Sequence, residues 1–117
     1  MVEKTRLIDI YERGGTFSSV FRRIGLEKVD YNTKDLSLIR RLLSNEKARL
    51  LHVVKMKSPK SIYELAKILK RDFKSVREDI KLLDKFGFID IISIKSGKRQ
   101  MHQPRISANT LNVVIRI

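Results

Sequence analysis

Three helix starts in a row, followed by an abrupt change of apolar period, constrain this chain most. Ser44, Ser61 and Asp72 each stand before a run with apolar residues at helical spacing. At such positions a short side-chain oxygen can accept from a free first-turn amide. The first run, Asn45 to Lys57, is expected to turn Ala48, Leu51 and Val54 inward, with Leu50 and Val53 widening the face. Ser58-Pro59-Lys60 is a turn. Ser61 and Glu64 have capping-box spacing and open a helix with Ile62, Leu65, Ala66 and Leu69 inward, ending at Lys70-Arg71. The third run has Phe73, Val76, Ile80, Leu83 and Phe86 as its apolar face. Gly87 can end it in a left-handed conformation that glycine adopts without penalty.

After Gly87 the period becomes that of a strand. Phe88 to Lys95 is rich in Ile, Ser96 to Gln100 is a polar loop, and Met101 to Ser107 is a second strand in which Pro104 must sit where no ladder donor is needed. Leu111 to Ile117 is a short final strand. Upstream, Leu36, Ile39, Leu42 and Leu43 predict one more helix, with Thr33 as its cap. Phe17, Val20, Phe21 and Ile24 recur at helical spacing after Thr16, which predicts a helix stopped by Gly25. Thr5 to Arg13 is ambiguous. Leu7, Ile10 and Tyr11 suit a helix face, but the run is β-branched and ends at the Gly14-Gly15 turn signal, which favours a strand.

The composition is that of a globular domain: 117 residues, 42% apolar, 33% charged. Its 26 Lys and Arg against 13 Asp and Glu give +13. Residues 1–45 contribute +3 of this and residues 46–117 contribute +10. Such an imbalance costs self-repulsion, and a polyanion is the partner that relieves it. A Lys-rich, Ile-rich surface is also what thermophile proteins carry as solvated charge. The absence of cysteine excludes disulfides, thiolate zinc sites and cysteine nucleophiles, and suits a reducing cytoplasm. No apolar run approaches the roughly 20 residues of a membrane helix.

Helix, helix, helix, then a hairpin with a basic tip is the outline of a winged helix-turn-helix, an α+β fold. Residues 1–32 then form an N-terminal extension that can serve dimerisation, and residues 33–117 form the winged-helix domain. In a helix-turn-helix the last helix enters the DNA major groove, its apolar face docked on the domain. Residues 72–86 fit that division, leaving Lys74, Ser75, Arg77, Glu78 and Lys81 pointing out. Arg77 can make paired hydrogen bonds to guanine, Ser75 can take a base edge or a phosphate, and Glu78 can accept from cytosine. Lys74 and Lys81 suit phosphates. Lys67, Lys70 and Arg71 lie where a phosphate backbone would pass, and Lys98-Arg99 in residues 96–100 form the tip of the expected wing. The alternative for each of these groups is an ordinary solvated face, which is weakened for residues 72–86 because that helix follows a short turn after a capped helix. Asp79 can pair with a neighbouring Lys.

The run LLSNEKARLLHVVKMKSPKSIYELAKILKRDFKSVREDIKLLDKFGFI, residues 42–89, resembles the predicted transcriptional regulators of the MarR-like winged-helix group of archaea and bacteria. The shared features are the pair Leu42-Leu43, the Ser61 to Ala66 helix start, the Arg71-Asp72 turn, the Val76 to Leu83 pattern and the closing Gly87. The resemblance implies sequence-specific binding of double-stranded DNA by a homodimer that regulates transcription, most simply as a repressor occupying promoter DNA. Lys70 departs from the pattern, since many such turns carry glycine there.

Enzyme chemistry finds no support in the residues. His52 and His102 are the only histidines and fall on different elements. Gly14-Gly15 and Ser96-Gly97-Lys98 lack phosphate-loop spacing. No acidic pair is set for acid–base work, and no cofactor is expected. Two other readings stand beside the regulator: a winged-helix protein-interaction module, and a non-specific, chromatin-like coating of DNA for which +13 suffices. The expected dimer surface consists of Phe17, Val20, Phe21, Ile24 and the strand Leu111–Ile117, which are apolar and have no assigned partner.

Overall fold

The computed structural model describes residues 5–23, 31–33 and 37–117. Among them are four helices and six strands in two small sheets, a mixed α+β architecture. The chain divides into two compact units, Met1–Leu42 with Ala108–Ile117, and Leu43–Ser107.

The first unit contains β1 (Thr5–Arg13), β2 (Thr16–Arg23), β3 (Tyr31–Thr33), α1 (Ser37–Leu42) and β6 (Thr110–Arg116). Gly14 and Gly15 both take positive φ, 58° and 85°, as the mirror-image two-residue hairpin turn requires. That turn folds β2 back along β1 in a register from Arg6↔Arg23 to Arg13↔Thr16. The helix expected from Phe17 to Ile24 is therefore a strand. The 17, 20, 21 spacing imitates a helix face, but ladder pairing decides the backbone, and these β-branched and aromatic residue types suit a strand. Ile24, Gly25 and Leu36 lie outside the described residues. Thr33, expected as a helix cap, stands in β3 opposite Ser19.

The sheet order is β3-β2-β1-β6, antiparallel except for the parallel pair β1–β6. Thr5 to Arg13 is thus a strand, and the final strand is its partner, from Thr5↔Thr110 to Tyr11↔Arg116. Parallel neighbours need a long connection. Here residues 43–107 stand between them in sequence. As an inner strand β1 is buried on both faces, with Arg6, Ile8 and Ile10 on one and Asp9 on the other. At the sheet edge, β6 leaves Val113, Val114 and Ile115 exposed.

The second unit contains α2 (Asn45–Lys57), α3 (Ile62–Leu69), α4 (Phe73–Lys85), β4 (Ile89–Ser96) and β5 (Arg99–Ile106). All three expected caps form: Ser44 Oγ accepts from the Lys47 amide at 3.3 Å, Ser61 Oγ from Glu64 at 3.0 Å, and Asp72 Oδ2 from Ser75 at 3.2 Å. The Glu64 carboxylate completes its motif one residue early, accepting from the Lys60 amide at 3.4 Å. Leu50, Leu65, Val76, Ile80, Leu83, Phe86 and Ile89 are fully buried. Burial of such a side chain contributes on the order of 1.5–3 kcal/mol each.

The face of α2 is rotated from the expected one. Lys47, Leu50 and Val54 are buried, Leu51 and Val53 are half-buried, and Ala48 is exposed. Leu43 and Phe73, both expected inward, are exposed. Each stands at the margin of a helical run, where apolar spacing continues past the end of the core. The β4–β5 hairpin turns on Gly97 and Lys98 alone, pairing Ser96 with Arg99. The five-residue loop expected at 96–100 is shorter because Gly97, at φ 64°, permits a two-residue turn. Pro104, opposite Ile91, fits a sheet that is two-stranded among the described residues, because alternate residues direct their N–H away from the partner strand. Among the described residues, no helix is long and apolar enough to cross a membrane.

Candidate nucleic-acid interface

The turn between α3 and α4 holds its residues with two nested hydrogen bonds. The Lys70 amide donates to the Lys67 carbonyl (3.2 Å) and the Arg71 amide to the Ala66 carbonyl (3.1 Å). Lys70 itself is left-handed, with φ 54° and ψ 45°. The end of α4 repeats the motif, with Gly87 donating to Asp84 (3.0 Å) and Phe88 to Leu83 (2.9 Å). Lysine therefore takes the same left-handed position that Gly87 takes one helix later. The departure from glycine changes the energetics of the turn and leaves its form intact.

Because Val76, Ile80 and Leu83 are buried, the other side of α4 faces solvent. Lys74, Ser75, Arg77, Glu78 and Lys81 are all exposed, as are Lys67 and Lys70 before them and Lys98 and Arg99 at the hairpin tip. Arg77 and Arg99 line one groove, so the middle of α4 and the start of β5 come together. The second unit carries sixteen Lys and Arg against seven Asp and Glu, a net of +9.

Arg71 differs from its neighbours. Its Nη2 lies 2.9 Å from Asp79 Oδ2 and 3.3 Å from Glu46 Oε2, and its side chain is only 24% exposed. Asp79 also takes Lys47 Nζ at 2.9 Å. The lysine that Asp79 pairs with is thus on α2, and Arg71 is drawn inward with it. Nη1 of Arg71 is buried without an acceptor. Two basic residues share one carboxylate here, which ties α2 and the turn to α4.

Sequence reasoning missed two features. One is the Lys47–Asp79–Arg71 network, hidden because Lys47 occupies an apolar register position. The other is a pair of exposed aromatic rings, Tyr63 and Phe73, with centroids 6.3 Å apart and planes at 51°. Lys67 Nζ stands 4.6 Å from the Tyr63 ring centre, a cation–π distance. Exposure of Tyr63 was readable, since it lies off the apolar face that Ile62, Leu65 and Leu69 form on α3. His102 Nδ1 lies 3.4 Å from Ser93 Oγ across the hairpin. Among the described residues, no three His, Asp or Glu side chains gather to hold a metal ion.

The family model described as HVO_A0114 matches residues 42–111, more than half of the chain, and the protein belongs to that family. No curated protein matches the chain.

Proposed function

We propose that the second unit is a winged helix-turn-helix that binds double-stranded DNA sequence-specifically. In this reading α4 is the recognition helix, the β4–β5 tip is the wing, and the chain is a homodimeric regulator of transcription, most simply a repressor. The observation that carries it is the convergence of Arg77 on α4 with Arg99 at the hairpin tip, in a surface where Lys67, Lys70, Lys74, Lys81 and Lys98 are also exposed. A helix buried along Val76, Ile80 and Leu83 presents an opposite face with Lys74, Arg77 and Lys81 exposed and Glu78 among them, and a major groove admits such a helix. The resemblance of residues 42–89 to MarR-like regulators supports the same assignment.

Roles divide by chemistry. Arg77 reads a guanine edge, with Ser75 and Glu78 beside it. Lys70, Lys74, Lys81, Lys98 and Arg99 meet phosphates, while Arg71, held by Asp79 and Glu46, fixes the turn that presents them. For the dimer, β6 offers exposed Val113, Val114 and Ile115 on an edge strand whose only charge is Arg116. Natural edge strands usually carry charges that block pairing.

The same apolar edge favours a second reading, a protein-interaction module. Titration of a labelled duplex at several salt concentrations separates them. A DNA-binding protein with five or more phosphate contacts shows a log–log slope on the order of −4.5 or steeper. A scaffold shows no binding to titrate.

A further inference from the structure

Tyr63, Phe73, Ile62 and Met101 form the walls of a groove of about 380 Å³, with Arg77 and Arg99 also lining it. Two facts make it unusual for a surface that meets only duplex DNA. Tyr63 is 60% and Phe73 43% exposed, although large aromatic rings gain most from burial. Among the described residues no carboxylate lines the groove, and Arg77 and Arg99 give it positive charge, with Lys67 against the Tyr63 ring. A paired duplex hides its base faces within the stack and offers phosphates and base edges, so it leaves two aromatic faces unused.

We infer that this groove binds an unstacked nucleobase, from a single-stranded or locally unpaired stretch of nucleic acid. The base lies against Tyr63 and Phe73, while Arg99 holds a flanking phosphate. Base–aromatic stacking tolerates any base because every base has a π-face. Gln100 and His102 also line the groove. The inference rests on the nucleic-acid reading above and adds a second binding mode to it. The duplex meets the ridge of α4, and an unpaired base enters the groove beside it.

The test compares three fluorescent probes with the full chain at near-physiological salt: a fully paired duplex, the same duplex with one central unpaired 2-aminopurine, and an oligothymidine of about twelve nucleotides. The unpaired duplex is expected to bind about tenfold tighter than the paired one, with a change in 2-aminopurine emission as the base meets the rings. A Tyr63→Ala/Phe73→Ala double variant is expected to lose that preference and still bind the paired duplex within about twofold. Both side chains are exposed, and an unchanged thermal melt confirms that the variant is folded. Arg99→Ala is expected to weaken the oligothymidine several-fold. Equal affinity of the wild type for paired and unpaired duplexes overturns the inference and leaves the duplex reading standing. Failure to bind any of the three overturns both. Displacement of the oligothymidine by an acidic peptide at matched charge assigns the groove to a protein ligand instead.

Discussion

Lys47 and Asp79 form an ion pair of 2.9 Å with side chains only 7% and 13% exposed, joining α2 to α4 across the second unit. Removing one partner of a buried pair strands the other charge and costs on the order of 3–5 kcal/mol. Asp79→Ala takes the shared carboxylate from Lys47 and Arg71, leaving Arg71 with the exposed Glu46, and should destabilise by about 3 kcal/mol or more. Lys47→Met leaves Asp79 still paired with Arg71 and should cost less, about 1.5–3 kcal/mol. Chemical denaturation followed by circular dichroism measures both. An Asp79→Ala protein within about 1 kcal/mol of wild type would remove this network from the account of the fold.

Lys70 lies in the left-handed region at φ 54°, where a side chain costs roughly 1–2 kcal/mol. Lys70→Gly relieves that strain against a glycine entropy penalty of roughly 0.5–1 kcal/mol. The variant is therefore expected to melt at or slightly above the wild-type temperature. Its affinity for DNA should fall several-fold, with the salt slope reduced by about one. Loss of stability with unchanged binding would contradict both halves.

Arg77 and Lys98 should behave differently on replacement. Arg77→Ala is expected to cost about 1–3 kcal/mol on a preferred site and to relax sequence preference, whereas Lys98→Ala should weaken all duplexes alike and flatten the salt dependence. Competition binding with a preferred and a scrambled duplex reads both effects. Equal loss on the two duplexes for Arg77→Ala removes that residue from base readout.

Ile115 is 58% exposed on the β6 edge. Ile115→Lys adds an edge charge of the kind that blocks strand pairing. Size-exclusion chromatography with light scattering should show a dimer for the wild type and a shift toward monomer for the variant. A wild-type monomer at micromolar concentration would rule out the dimer.

Much of the second unit was legible because its signals are local. Ser44, Ser61, Asp72 and Gly87 each act within a few residues of themselves, and the cap bonds and the left-handed glycine form where the sequence places them. The exposed basic set on α4 followed from its apolar period. What escaped were relationships between distant residues. Phe17, Val20 and Phe21 have a helical spacing that the ladder with β1 overrides. The place of Lys47 depends on a carboxylate 32 positions away, so an apolar-period rule puts Ala48 inward instead. Tyr63 and Phe73 are close only because the turn at Lys70 brings α3 and α4 together.

The most direct test of the central proposal is selection of binding sites from a pool of random duplex DNA at near-physiological salt. The account predicts an enriched, roughly palindromic motif whose half-sites lie about 10 bp apart or a multiple of that. Failure to retain DNA, or retention with no enriched sequence, would contradict a sequence-specific regulator.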